Sequence, residues 1–388
     1  MVPNPALGVV LHWLGGLASG SFYVPYRGVK RWSWETYWLV GGVFSWIIAP
    51  WFLGSLLTRD LLTVLSEASS KTLFWAFFFG LLWGIGGLTF GLTMRFLGLS
   101  LGMAVALGLC AAFGTLMPPI FSGVFMTQVL GTKSGQVILF GIFVCLAGIS
   151  MAGLAGIYKE RAMSPEQQRA AIKEFNLKKG LGVATLSGVM SACFAYGLAA
   201  GAPIKRLTVQ HGTPPLWQGL PVLVVVLIGG FTTNFLWCLA LNIRNKTGYQ
   251  YFAADAKHYP AVHDETIVET AIDAPSREVV EHIPSPKQEN QKAVPMLANY
   301  LFCALAGTTW YFQFFFYTMG ETQMGKYGFS SWTLHMASII IFSTLWGLGL
   351  KEWKGAGKPA MRLLSLALLL LVGSTVIVGY GNYLALAH

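Results

Sequence analysis

Charge is what this sequence has least of. Only 11% of its 388 residues are Asp, Glu, Lys or Arg, against 54% hydrophobic, and no Asp or Glu falls in the middle of a long apolar run. That scarcity excludes an ordinary soluble domain. It also makes catalysis by paired core carboxylates hard to build, and no DxxD, HExxH, phosphate-binding glycine loop or Ser/His/Asp set occurs. The chain therefore reads as something other than an enzyme, with no cofactor called for. Cysteine is sparse too. Cys110, Cys145, Cys193, Cys238 and Cys303 form no CxxC and no Cys/His cluster, which argues against a disulfide framework or a metal site. Short segments of alternating polarity, the mark of a barrel strand, are also missing.

What is present is long apolar runs. A spanning helix needs about 20 mainly apolar residues, and ten stretches qualify: 5–27, 36–57, 72–96, 100–126, 136–158, 181–204, 216–243, 294–320, 329–350 and 362–386. The expected fold is an all-α membrane protein of ten transmembrane helices. The first run lacks a basic segment before it and a small-residue cleavage site after it, so it reads as a retained helix.

Orientation follows from Lys and Arg. Twenty of the 26 lie in loops and helix ends after the first, third, fifth, seventh and ninth runs. The positive-inside rule puts that side in the cytoplasm and both termini outside, in the periplasm of a bacterial inner membrane. The net charge of +10 is then a topology signal with an attraction to anionic membrane lipid, not a nucleic-acid surface. Two polar segments interrupt the pattern. Residues 159–180 form a cytoplasmic connection, expected to hold one short amphipathic helix, between a first five-helix repeat (1–158) and a second (181–388). Residues 245–293 read as a poorly ordered cytoplasmic loop. Its His258, His263 and His282 match no compact metal site.

The two halves carry faint matches in the same order. GLASGSF (16–22) lies on GVMSACF (188–194), Gly41-Gly42 on Gly229-Gly230, and Gly80, Trp83 and Phe90 on Gly307, Trp310 and Tyr317. Five spans per half insert the halves in opposite senses, so the expected architecture is two five-helix inverted repeats working by alternating access.

With no core carboxylate, recognition falls to aromatic and amide groups. Trp310, Gln313 and Tyr317 share one helical face. An amide between aromatic planes suits a sugar, though an aromatic packing face with a satisfied Gln reads equally well. Trp83, Trp332, Tyr23 and Asn234 are similar candidates for substrate binding, while Trp32, Trp34 and Trp353 read as an interfacial belt. Near mid-helix, only His12 and His335 titrate around neutral pH, which makes them the candidates for proton coupling. Pro118-Pro119 should break or kink the fourth helix.

Several motifs carry a resemblance across nearly the whole chain: WSWET (32–36), FGLLWGIGGLTFGLTMRFLG (79–98), GTLMPPI (114–120), EFNLKKG (174–180), WYFQFFFY (310–317), SWTLHM (331–336) and GLGLKEWKGAG (347–357). The sequence resembles the L-rhamnose-proton symporter family of the drug/metabolite transporter superfamily. The resemblance implies ten helices and proton-driven uptake of L-rhamnose or a related monosaccharide across the inner membrane. After WGIG this chain has Gly87, Thr89 and Phe90 where the family pattern has hydrogen-bonding groups, which leaves the particular sugar, or a different small metabolite, open.

Overall fold

The computed structural model describes residues 2–162, 176–254 and 293–386. The apolar runs emerge as helices: α1 (Pro5–Ser21, with a further turn at Tyr23–Tyr26), α2 (Trp34–Leu57), α3 (Ser70–Leu97), α4 (Leu99–Phe121) and α5 (Lys133–Arg161), followed by α6 (Leu177–Ala200), α7 (Leu220–Asn245), α8 (Met296–Glu321), α9 (Ser331–Gly349) and α10 (Gly357–Leu384). Side-chain caps fix several starts, as where the Asn4 and Asn176 amides accept from the backbone N–H groups of Leu7 and Lys179.

Among the described residues nine helical segments are long and apolar enough to cross a membrane. The run expected at 294–320 does form a helix of 26 residues, α8, but it is not one of the nine. Asn299, Thr308, Thr309 and Gln313, together with its tryptophan and tyrosines, lower its hydropathy. Outward-facing Phe140, Phe143, Leu236, Ile243 and Leu369 are each more than half exposed, as a lipid-facing surface requires.

Helix packing is selective. α5 lies along α10, α6 along α3 and α4, α1 along α8 and α9, and α2 touches both α7 and α8. Glycines allow the closest approaches. A Cβ at Gly16 would stand 2.8 Å from the Ser338 carbonyl oxygen on α9, and one at Gly188 would stand 2.7 Å from that of Ala106 on α4.

The connections gather at two ends. At one, Asn299 bonds the Lys30 backbone in both directions at 2.9 Å, Arg27 meets Glu352 at 3.4 Å, and Gln250 accepts from Ser33 N–H at 2.8 Å. Buried Glu35 accepts from Thr247 Oγ1 there at 2.8 Å, and desolvation pushes the Tyr251 hydroxyl up to about 12, so it stays neutral. At the other end, Asn4 N–H donates to Gln323 at 3.0 Å, Thr132 and Tyr327 share a 2.7 Å bond, and Lys205 meets Glu321 at 2.6 Å.

Two local expectations need correction. The helix through Pro118-Pro119 does not break there; α4 runs through both and stops at Phe121, with Gly123 at φ +73° turning the chain. Each proline lacks the N–H that would bond the carbonyl four residues back, on Gly114 and Thr115, and the helix ends at Phe121, within a turn of that loss. Trp32 and Trp34 are not belt residues facing lipid. Both are buried, Trp32 edge-on to Tyr300 and Trp34 stacked on Trp38 with centroids 5.4 Å apart. Within α2, Val43–Ile48 widens into a π-helical stretch, and Ser45 Oγ donates to the Gly42 carbonyl at 3.3 Å. The short helix expected within 159–180 and the histidines of 245–293 lie outside the described residues.

Candidate functional site

Seven helices converge on one internal cavity of about 100 Å³. Trp38 and Trp46 come from α2, Trp83 and Phe90 from α3, Cys110 from α4, Ser191 from α6 and Asn234 from α7; α8 adds Trp310, Gln313 and Phe314, and α9 adds Trp332, His335 and Met336. The volume holds several waters or the core of a small polar molecule.

One wall is aromatic. Trp83 and Trp310 lie 5.7 Å apart at 31°, and Trp46 meets Trp310 edge-on at 5.4 Å. Trp38 meets Trp46 at 6.0 Å. The indoles are held by the backbone and by amides: Trp332 Nε1 donates to the Cys110 carbonyl at 3.0 Å, and Trp38 Nε1 donates to Asn234 Oδ1 at 3.2 Å. Asn234 in turn donates from Nδ2 to the Gly230 carbonyl at 2.9 Å, so part of its hydrogen-bonding capacity is committed to the fold.

Against that wall stand polar atoms without protein partners. Gln313 Nε2, Trp46 Nε1 and His335 Nδ1 are buried and make no hydrogen bond. An orphaned buried polar atom costs about 1–3 kcal/mol, and three around one cavity point to a polar occupant. Hydroxyl groups fit, because each can both accept and donate, while flat C–H surfaces stack on indole faces.

Of the residues proposed from sequence, Trp83, Asn234, Trp310, Gln313, Trp332 and His335 line the cavity together. Tyr317 shares the face of Trp310 but sits beyond the wall, its ring 5.8 Å from Trp332 and 5.3 Å from His335. Tyr23 is one layer out, stacked at 6.4 Å on the cavity residue Trp38. His12 is fully buried and does not line the cavity; its ring is 5.4 Å from that of Tyr317. Sequence reasoning missed Trp38, Trp46, Phe314 and Ser191. The two tryptophans stand eight residues apart on α2, a spacing that does not by itself put them on one helical face.

The profile of the family described as L-rhamnose-proton symport protein (RhaT) matches residues 1–253 and 284–384. The chain belongs to this family. The L-rhamnose-proton symporter of Cronobacter sakazakii (strain ATCC BAA-894) is 37% identical over 377 residues, covering 97% of each chain. Those of Yersinia pestis (strain Pestoides F) and Yersinia pseudotuberculosis serotype O:1b (strain IP 31758) are 36% identical over the same length and coverage. Family membership, with nine helices among the described residues long and apolar enough to span, makes the chain a multi-pass membrane protein of a transporter family, not an enzyme.

Proposed function

We infer that this protein carries L-rhamnose, or a closely related monosaccharide, into the cell together with a proton. The observation that carries this reading is the cavity itself: the unpartnered Gln313 amide faces the same space as the Trp83–Trp310 pair, and an imidazole, His335, lines it in place of any carboxylate. Trp83, Trp310 and Trp332 would stack on the sugar. Gln313, with Asn234 in a lesser part, would bond its hydroxyls; Tyr317 and Tyr23 would support the wall from behind.

The carrier works by alternating access of two inverted halves, 1–158 and 181–388, joined by 159–180, with α8 as the tenth span. Helix packing supports this. Moving every helix five places along exchanges α1 against α8 and α9 for α6 against α3 and α4, and both sets of contacts exist. The glycine approaches at Gly16 and Gly188 belong to those two equivalent sets. The basic end faces the cytoplasm of a bacterial inner membrane and both termini face the periplasm, as the positive-inside rule requires.

The test is reconstitution in sealed vesicles with labelled sugars. L-Rhamnose accumulation driven by an imposed proton gradient, and abolished by an uncoupler, is the expected result. Accumulation of a different metabolite with no response to any 6-deoxyhexose would overturn the sugar assignment.

A further inference from the structure

His12 and His335 sit on either side of one ring. The Tyr317 ring lies 5.4 Å from the imidazole of His12 and 5.3 Å from that of His335, edge to face in both cases. Both histidines are buried, at 0% and 1% exposure, yet only His335 reaches the cavity. The tautomer of His12 is fixed by its partner. Its Nδ1 stands 2.6 Å from the Gly8 carbonyl, which can only accept, so Nδ1 carries the hydrogen. Nε2 is then the ring's accepting nitrogen, buried and without a partner.

The surroundings place His12 toward one face of the protein. It packs on Gly320, whose Cβ would meet the imidazole. The next residue, Glu321, pairs with Lys205 in a bridge where both side chains are partly exposed, and Asn4 bonds Gln323 at that same end. The titratable groups around the pair are few. α8 offers Tyr317 and, one turn on, Glu321; α4 offers Cys110 behind Trp332, and α5 offers Cys145 against the Thr333 carbonyl. α10 presents uncharged groups, among them Asn382 bonded to Ser330.

We propose that His12 is a proton station on the periplasmic side, handing its proton past Tyr317 to His335, so that proton and sugar enter the cavity by separate routes. This rests on the transport reading above. In the transfer, the Nε2–H bond of His12 breaks and its lone pair is restored. A ring-nitrogen lone pair of His335 forms a new N–H bond, with a water molecule or the Tyr317 hydroxyl accepting one proton and releasing another between them. A charged His335 then faces the sugar cavity, while His12 is neutral and ready to reload from the Glu321 end.

The test follows labelled L-rhamnose in vesicles of the full chain, driven by a membrane potential, and reads both initial rate and final level. A wild-type protein indifferent to the potential overturns the transport reading, and this one with it. His12→Ala is expected to slow uptake by about ten-fold or more while reaching the wild-type level given time, since a relay sets rate and not equilibrium. Imidazole, equal on both sides, restores the rate by replacing the missing base. His335→Ala lowers the final level itself. A His12→Ala rate within about two-fold of wild type overturns the proposal. So does a slowed rate that imidazole leaves unmoved, which is what a packing histidine would give, and so does an equal loss of final level in both variants.

Discussion

Replacing Gly16 or Gly188 by alanine tests the packing on which the two-repeat reading rests. A Cβ at Gly16 would lie 2.5 Å from the carbonyl carbon and 2.8 Å from the carbonyl oxygen of Ser338; one at Gly188 would lie 2.7 Å from both Ala106 O and Leu109 Cβ. The obstacles are mostly backbone, so no side chain can swing clear. Restoring ordinary contact, which begins at 3.4 Å, needs the helix pairs to part by about 0.7–1.0 Å. Overpacking of this kind costs about 1–3 kcal/mol, and alanine returns about 1 kcal/mol of helix propensity. The net expectation is a loss of up to about 2 kcal/mol for each variant, and similar losses for both if the sites are equivalent. Gly182→Ala is the control, because nothing lies within 4 Å of its would-be Cβ. The five buried cysteines make the assay simple, since a thiol-reactive fluorophore reports unfolding as they become exposed. Both variants should melt a few degrees below wild type, with Gly182→Ala level or higher. If neither falls below the control, the close helix contacts are not as described.

Other consequences can be measured separately. Gln313→Ala should weaken L-rhamnose binding by about 1–3 kcal/mol, roughly 5- to 150-fold, in a binding assay on purified protein; unchanged affinity would return Gln313 to a packing role. Trp310→Ala should weaken binding by about 0.5–1.5 kcal/mol of ring contact or more, with the same assay as judge. Asn299→Ala removes two buried bonds to the Lys30 backbone and should cost about 1–3 kcal/mol of stability without altering sugar affinity. Lys205→Met breaks a partly exposed ion pair and should shift melting by the equivalent of about 1 kcal/mol or less.

Hydrophobic length alone made the helices legible, because a spanning segment must satisfy its own backbone and shows this as one unbroken apolar run. The same rule blurred α8, where amide, hydroxyl and aromatic side chains replace aliphatic ones. Chemistry placed Trp83, Trp310, Gln313 and His335 on a common site, because amides, indoles and imidazoles inside apolar helices need a reason to be there. Depth along a helix was not legible. Tyr317 shares a face with Trp310, yet Trp332 and His335 of α9 close the cavity before the chain reaches it. Trp34 looked interfacial because it stands at a helix start, and only the fold buries it, stacked on Trp38. Nothing in the sequence marked the π-helical stretch of α2.

That stretch decides where two indoles point. Residues eight apart on an ordinary α-helix differ by about 80° in direction, since each advances about 100°. Trp38 and Trp46 would then look toward different neighbours. The wider turns between Val43 and Ile48 advance less per residue, and both rings reach the one cavity. The extra residue behaves as an insertion absorbed without a loop. A family member lacking it would differ from this chain by a single gap between Gly42 and Ala49, a change that looks trivial on paper and turns one wall of the cavity away from its occupant.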